Sequence, residues 1–314
     1  MRMTGRFRGV FAATLIPVLI LGLILGLSPS VQAQDVWKAE KIDAASVPKE
    51  IVPEDRRPAP GGLPDALIET GSKPGDISAA WYAGRTNRYR HGILGDTFEG
   101  SILRVTTRAG GYLKLALPDT EVFEDRYPRL ADLDGDGKTE IITIRTSMTH
   151  GAAVTVYGLR NGKLSEIATT EFIGRANRWL NIAGIASFRG GSGKEIAYVE
   201  TPHIGGTLFL YTLEEGKLIK VGEKPGFSNH QTGSTEMRLS AIADINGDGA
   251  PDLAVPSADR RQLRIVGFNR GQLTDRGVAD LPATIDKAIA VHGTGKATRF
   301  IAGLQSGEVY SVGR

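Results

Sequence analysis

The chain has 314 residues and no cysteine, which excludes disulfides, thiolate catalysis and cysteine-bound zinc. It carries 38 Lys and Arg residues against 35 Asp and Glu residues. Three arginines among the first eight residues supply this excess, so the remainder of the chain is balanced in charge. We therefore expect no nucleic-acid partner, because such a partner requires a basic surface.

Residues 1–33 have the pattern of a signal peptide. A basic start precedes an apolar run at 10–27, and Val31-Gln32-Ala33 suits cleavage by signal peptidase. Cleavage after Ala33 predicts a periplasmic or secreted protein. The apolar run also reaches the lower limit of a membrane-spanning length, so the alternative is an inner-membrane anchor formed by residues 10–27. A membrane is a partner only in that alternative.

Residues 34–62 combine charges of both signs with four prolines and show little apolar periodicity. Such a composition disfavours a packed core. We predict a disordered linker over this segment.

From residue 63 onward, a strand–turn–strand unit recurs. Its turn glycines are Gly111, Gly162, Gly216 and Gly271, which are 51, 54 and 55 residues apart. Glycine supplies the positive φ that tight hairpins need. A period of about fifty residues in an all-strand pattern is typical of a propeller or a solenoid.

A second element repeats with the same period. Residues 131–141 align without gaps on residues 243–253, and residues 186–196 have the same length between them. The three segments start 55 and 57 residues apart. Each unit therefore indicates four strands: A before this loop, B after it, and C and D in the hairpin, which is the pattern of a propeller blade.

The predicted fold is an all-β propeller of four-stranded blades occupying residues 63–314. Five blades are expected, with six as the alternative, and the five lie near 77–120, 127–173, 179–226, 237–284 and 286–314. The last unit ends on strand C. We predict that residues 63–68 supply its missing strand, so that an N-terminal strand closes the ring and removes an exposed sheet edge.

Two of the aligned loops have the pattern of a calcium-binding loop. Calcium takes six to eight oxygen ligands, and carboxylates at alternate positions followed by a glycine turn can surround one centre. Main-chain carbonyls are expected from Lys138 and Ala250. The predicted ligands are Asp132, Asp134, Asp136, Lys138 and Glu140 in the first loop, and Asp244, Asn246, Asp248, Ala250 and Asp252 in the second.

Aspartate and glycine also favour turns without any metal. However, the first loop packs four acidic side chains into nine residues, and these charges repel one another unless a cation is present. We therefore predict two structural calcium ions. Strands rather than helices flank these loops, which excludes an EF-hand.

The middle loop lacks most of these ligands. Ser187, Arg189 and Gly191 occupy the first three ligand positions, so we expect no calcium there. The charge of Arg189 is hypothesised to replace the ion. A third calcium site in titrations of Arg189→Asp supports this hypothesis, and no added binding counts against it.

The two loops, Asp-x-Asp-Gly-Asp-Gly-x-x-Glu and Asp-x-Asn-Gly-Asp-Gly-x-x-Asp, are followed by apolar strands and resemble FG-GAP/VCBS repeats. These repeats form the blades of the integrin α-subunit propeller. The resemblance covers about residues 77–314. It implies calcium at the A–B loops and a role in adhesion, ligand binding or scaffolding.

In a propeller, B–C loops and blade-to-blade connections lie on the face opposite the A–B loops. The candidate ligand-binding residues there are His150, His203, Arg175, Asn177, Arg178 and His230. Arginine, asparagine and histidine suit an anionic or sugar ligand, although the same residues can simply fix loops. Since no nucleophile–base pair is evident, we predict a non-catalytic binding or scaffold module for a protein or glycan ligand. The alternative is a carbohydrate-active or other enzyme that uses this Arg/His face.

Overall fold

A computed structural model of the protein describes residues 36–47, 56–60 and 63–314. These residues form 22 β-strands and two short 3-10 turns, Ala44–Ser46 and Gly295–Ala297. Among them there is no α-helix, and no helix is long and apolar enough to cross a membrane. The predicted signal peptide, its alternative as an anchor and the cleavage site lie outside the described residues.

The strands follow one another in antiparallel meanders of four, in which we name successive strands A, B, C and D. The first meander is β3 (Leu67–Thr70), β4 (Ile77–Thr86), β5 (Glu99–Thr107) and β6 (Tyr112–Ala116). The second is β8 (Arg129–Ala131), β9 (Glu140–Ser147), β10 (Gly151–Arg160) and β11 (Lys163–Thr169). The third is β12 (Leu180–Ala186), β13 (Glu195–Glu200), β14 (Thr207–Glu214) and β15 (Lys217–Pro225). The fourth is β16 (Ala241–Ala243), β17 (Asp252–Pro256), β18 (Gln262–Asn269) and β19 (Gln272–Asp280).

Two short strands lie outside this pattern. The strand β7 (Glu121–Phe123) pairs with both β5 and β9 and so joins the first two meanders into one ten-stranded sheet. The strand β2 (Arg57–Pro58) pairs with β3 at the edge of that sheet. The all-β, propeller-like arrangement of four-stranded units predicted from the sequence is therefore present.

The fifth meander takes its fourth strand from the N-terminal side of the chain. It consists of β20 (Ile285–His292), β21 (Arg299–Leu304), β22 (Val309–Gly313) and β1 (Lys38–Ile42). In β1, Lys38 pairs with Gly313 and Ile42 pairs with Val309.

Two sequence predictions are corrected by this strand. Residues 38–42 lie inside the segment predicted as a disordered linker, yet they form β1, since this edge strand can expose its charged residues while Trp37 beside it is buried. The missing strand of the last unit was predicted at 63–68, but Leu67 and Ile68 belong to strand A of the first meander, with Glu69 paired to Ala80. The first unit therefore begins before residue 77.

The core lies between neighbouring sheets, because each sheet packs an apolar face on the next one along the chain. One cluster joins the second and third meanders around Val154, Val156 and Trp179. Another joins the fourth and fifth meanders around Ile265 and Phe300. Strand β10 has both faces buried over residues 151–158, as expected of a strand covered on two sides.

The antiparallel meander sends A–B loops and C–D turns to one end of each sheet, which we call the A–B face. It sends B–C loops and D–A connections to the other end, the B–C face. Neighbouring A–B loops contact each other, since the Lys194 N–H donates to the Leu133 carbonyl at 2.9 Å. Elements of the B–C face also contact each other, since the Gly233 N–H donates to the Ile93 carbonyl at 2.9 Å.

Candidate functional site

The first acidic loop on the A–B face is held by its own backbone amides. The carboxylate of Asp132 accepts hydrogen bonds from Gly135 N at 2.8 Å and from Gly137 N at 3.0 Å. Both glycines have positive φ, 80° and 82°, which is why the chain can turn this sharply. Oxygens of Asp132, Asp134 and Asp136 lie within 4.8 Å of one another. The loop therefore gathers three predicted ligands around one centre.

The fourth acid of this loop is inside the protein. Glu140 begins β9, is 1% exposed and accepts a hydrogen bond from Leu133 N at 2.9 Å. Burial raises the pKa of Glu140 to about 7, and the neighbouring aspartates add to the shift. Lys138 is exposed, and its ammonium lies 3.0 Å from Asp136 Oδ2.

The second loop repeats this geometry bond for bond. The carboxylate of Asp244 accepts from Gly247 N at 2.7 Å and from Gly249 N at 2.9 Å. Asp252 takes the place of Glu140: it is buried and accepts from Ile245 N at 3.4 Å. Burial raises the pKa of Asp252 to about 6. The other two side chains of the loop also accept from backbone amides. Asn246 Oδ1 accepts from Asp248 N at 3.0 Å, and Asp248 Oδ1 accepts from Ala250 N at 2.8 Å.

The middle loop keeps only the buried acid. Glu195 accepts from Arg189 N at 3.3 Å. The Arg189 guanidinium lies 3.9 Å from the Glu195 carboxylate and 3.5 Å from that of Glu214. A fixed cation therefore stands beside Glu195, and Ser187 Oγ donates to the Gly193 carbonyl at 2.7 Å.

The B–C face carries two adjoining hollows of about 300 and 420 Å³, which share His203 and Thr232. We call them together the B–C cleft. The smaller hollow is lined by residues that include His91, Asn177, Arg178 and Trp179. The larger one is lined by residues that include Gln231, Asp259, Arg260 and Gln305. Loops and connections from neighbouring meanders thus build one polar cleft.

The six candidate residues on this face divide into two groups. Asn177, Arg178 and His203 line the cleft, and His230 contacts His203 directly beneath it. The other two do not line it. His150 has its Nδ1 at 2.8 Å from Thr149 Oγ1, and Arg175 is exposed in the connection between the second and third meanders.

His203 and His230 form a hydrogen-bonded pair against Trp179. His203 Nε2 lies 3.0 Å from His230 Nδ1, and the ring of Trp179 lies 6.1 Å from that of His203 and 4.7 Å from that of His230. Burial lowers the pKa of His203 to about 4 and that of His230 to about 3, because both rings lose water that would solvate the imidazolium. Both rings are therefore neutral at neutral pH.

The sequence did not indicate the pairing of His91 with Glu124. His91 Nδ1 lies 2.7 Å from Oε1 of Glu124, whose side chain is fully buried and accepts from Thr146 Oγ1 at 2.9 Å. The main-chain carbonyl of Glu124 accepts from Trp179 Nε1 at 2.9 Å. These residues are far apart in the sequence, so no local motif could have found them.

One sequence signal could have identified this region. Residues 84–89 and 174–179 share the pattern Gly-Arg-x-Asn-Arg-aromatic. In the structure, Tyr89 of the first segment accepts a hydrogen bond from Asn177 N of the second at 2.9 Å. The ring of Tyr89 lies 5.9 Å from that of His91 in an edge-to-face arrangement.

A third hollow, of about 260 Å³, is lined by residues of strand A in the first three meanders and of the segment before β16. We call it the inner hollow. Its arginines face carboxylates: Arg129 pairs with Asp125, and Arg238 pairs with Glu236 at 2.8 Å. These arginines of the inner hollow are therefore already neutralised.

No protein-family model and no curated protein sequence matches the chain. Solved structures are similar in fold. The rhamnogalacturonan lyase YesW aligns at a TM-score of 0.47 and 16% identity over 82% of this chain and 52% of its own. The Bacillus licheniformis rhamnogalacturonan lyase PL11 aligns at 0.45 and 15% over 82% of this chain and 52% of its own. BBS1N, solved in complex with ARL6DN, aligns at 0.45 and 12% over 80% of this chain and 66% of its own.

This chain spans less than two thirds of the length of these structures. The likeness is compatible with a β-propeller-like fold. At these identities and TM-scores it carries no argument about activity or ligand.

Proposed function

We propose that the chain is an exported, calcium-binding β-propeller of the FG-GAP/VCBS type that acts as a non-catalytic binding or scaffold module for a glycan or protein ligand. The observation that carries this proposal is the separation of two kinds of surface. Carboxylate-rich loops occupy the A–B face, and an open polar cleft occupies the B–C face.

In this proposal the five meanders are five blades, and β1 closes the ring. Two contacts support the closure. Strand β1 pairs with β22 over five residues, so both ends of the propeller segment meet in one sheet. Trp37, just before β1, packs on the fourth meander at Gly277 and stacks on Phe300 of the fifth at 6.1 Å. Pairing of the two ends also covers an edge that would otherwise be open.

Each of the two acidic loops fits one calcium ion in a structural role. Three carboxylates of the first loop converge, and the buried Glu140 stands behind them. Lys138 and Ala250 would contribute main-chain carbonyls at the equivalent position of the two loops. A divalent cation removes the mutual repulsion of these carboxylates, and hard oxygen ligands in a flexible turn are what calcium prefers.

The B–C cleft is the proposed ligand site. It is concave and lined by polar side chains from separate loops, which is the usual form of a specific binding site. A screen of immobilised glycans and proteins against the calcium-loaded protein tests this. We expect a ligand whose binding is weakened by Arg178→Ala and unchanged by Arg189→Ala on the opposite face. Binding that survives both Arg178→Ala and Arg260→Ala contradicts the assignment to this cleft.

The His91–Glu124 pair favours a second candidate, an enzyme that uses the same cleft. A buried carboxylate that orients a histidine is a common arrangement for acid–base chemistry. Product release that is lost in His91→Gln would support this candidate. Ligand binding without turnover supports the non-catalytic module.

A further inference from the structure

We propose that the ligand of the B–C cleft is an acidic saccharide, which places its carboxylates against Arg178 and Arg260 and its hydroxyl groups against His91 and His203. This inference rests on the proposed function, because it assigns a chemical class to the ligand of the same cleft. It follows from the hydrogen-bonding groups that the cleft leaves without a partner.

Two arginines of the B–C cleft have no carboxylate partner in the described part of the chain. Arg178 donates from Nη1 to the main-chain carbonyl of Asn177 at 3.0 Å, and Arg260 donates from Nη1 to that of His230 at 2.7 Å. Neither guanidinium has a carboxylate within salt-bridge distance among the described residues. The buried Nε of Arg260 has no hydrogen-bond partner there. Both arginines therefore retain full charge and free donors for an anion.

The acid that lines the cleft is not paired with either arginine. Asp259 accepts from Ser257 Oγ at 2.6 Å and from Arg261 N at 3.0 Å, so its own turn holds it. The inner hollow differs, because its arginines are paired with carboxylates. Arginines without a carboxylate partner thus distinguish the B–C cleft from the inner hollow.

The B–C cleft also contains hydrogen-bond acceptors. His91 lines the cleft, and its Nδ1 lies 2.7 Å from Glu124 Oε1, so a neutral His91 that donates from Nδ1 to this oxygen keeps Nε2 as an acceptor. The Ser234 carbonyl also can only accept, so His230 Nε2 donates to it at 2.9 Å and His230 Nδ1 must accept from His203 Nε2. His203 then carries an unpaired acceptor, Nδ1, in the cleft it lines.

Gln231 also lines the larger hollow, and its buried Oε1 has no hydrogen-bond partner among the described residues. A ligand that complements the cleft therefore carries hydrogen-bond donors as well as negative charge. A saccharide provides hydroxyl donors along its whole length, and a uronic acid adds one carboxylate per residue. The combined hollows, about 300 and 420 Å³, are large enough for more than one sugar ring.

Calorimetric titration of the calcium-loaded protein tests the inference. The three probes are trigalacturonate, its fully methyl-esterified form, and a tripeptide of glutamate. We expect binding of trigalacturonate, and binding of the ester weakened tenfold or more, because charge-assisted hydrogen bonds to arginine are lost. Arg178→Ala should weaken trigalacturonate about tenfold, whereas Arg261→Ala, an exposed arginine outside the cleft, should leave it unchanged.

The other outcomes overturn the inference in distinguishable ways. Equal binding of acid and ester shows that charge is not recognised, and tighter binding of the peptide shows that hydroxyl donors are not. In both cases a cleft ligand remains, and the proposed binding function stands. Trigalacturonate binding that Arg178→Ala leaves intact and that Asp132→Asn removes assigns the saccharide to the calcium loops. Binding of none of the three probes also rejects the acidic-saccharide class, while the broader screen still tests the binding function.

Discussion

Nε2 of His203 lies 3.0 Å from Nδ1 of His230, so one of these nitrogens donates and the other accepts, and the two imidazoles cannot both be protonated. Since His230 Nε2 donates to the Ser234 carbonyl, Nδ1 must remain an acceptor. A proton added to Nδ1 would remove the acceptor and bury a charge. Burial disfavours a first proton on the pair, since it lowers the pKa of His203 to about 4 and that of His230 to about 3, and the hydrogen bond excludes a second proton.

The first prediction is that stability falls when the pH drops below the ordinary range of histidine. The unfolded chain takes up protons near pH 6.5, whereas the folded pair does so only near pH 4 and below, so acid favours the unfolded state. For His230 alone, going from about pH 7 to about pH 5 should cost roughly 1–2 kcal/mol. Urea unfolding at both pH values measures this.

Two variants isolate the contribution of the pair. The pH dependence should be smaller in His230→Gln, and His292→Gln, at an exposed histidine, should keep the dependence of the parent protein. The two variants are compared because buried acids such as Glu124, whose pKa is raised, make the folded state more stable as the pH falls, which is opposite to the effect of the histidine pair. An unchanged pH dependence in His230→Gln would show that the pair is not protonated on unfolding.

The second prediction is that Glu124→Gln reverses the tautomer of His91. The glutamine oxygen can accept from Thr146 Oγ1, and its amide then donates to His91 Nδ1, so the ring proton moves to Nε2. Nitrogen NMR of the imidazole distinguishes the two tautomers directly. We expect acidic-saccharide binding to weaken about tenfold, since an acceptor facing the ligand becomes a donor. Thr146→Val keeps Glu124 and should leave the His91 tautomer as it is; a switch in that control would contradict this account.

The third prediction concerns calcium. Chelation should lower the melting temperature of the protein, because an ion bound only by the folded state stabilises it, by about 2.7 kcal/mol at a hundred times its dissociation constant. Asp132→Asn should remove one site, since Asp132 braces the loop through Gly135 and Gly137. Glu171→Gln, an exposed acid without contacts in the described structure, should titrate like the parent. An unchanged melting temperature on chelation would rule out the structural role.

The fourth prediction concerns the middle loop. Arg189→Ala should destabilise the protein by less than about 1 kcal/mol, because its partly exposed guanidinium lies at 3.9 and 3.5 Å from its two carboxylates. The loss should be the same with and without calcium. In a double-mutant cycle, Glu195→Gln should lower the free energy of unfolding by less in the Arg189→Ala background than in the parent protein. Strict additivity of the two changes would mean that Arg189 does not compensate Glu195.

The repeats and both acidic loops could be predicted because they are local. Residues such as Asp132 and Gly137 predict a turn and a cluster of carboxylates within a few positions. Strand β1 could not be predicted in the same way, because the charged residues Lys38, Glu40 and Lys41 do not have the pattern of a strand, and its partner β22 lies at the far end of the chain. The B–C cleft was predicted only in part for a similar reason: His91 and Glu124 meet through tertiary structure alone.

The fifth prediction tests the closure by β1 through the close contact between Trp37 and Gly277. Trp37 is 6% exposed in the core shared by the fourth and fifth meanders, and a Cβ on Gly277 would lie 2.0 Å from its indole nitrogen. Trp37→Ala should therefore cost about 3–5 kcal/mol by leaving a cavity, and Gly277→Ala about 1–3 kcal/mol by overpacking. The Gly191→Ala control has no atom within 4 Å of the added Cβ and should leave stability nearly unchanged. The losses in unfolding free energy from the two changes should not add, because a smaller residue at 37 makes room for the Cβ at 277. In Trp37→Ala, hydrogen exchange should also show faster opening of β22. Full stability of Trp37→Ala would mean that β1 does not hold the two ends together.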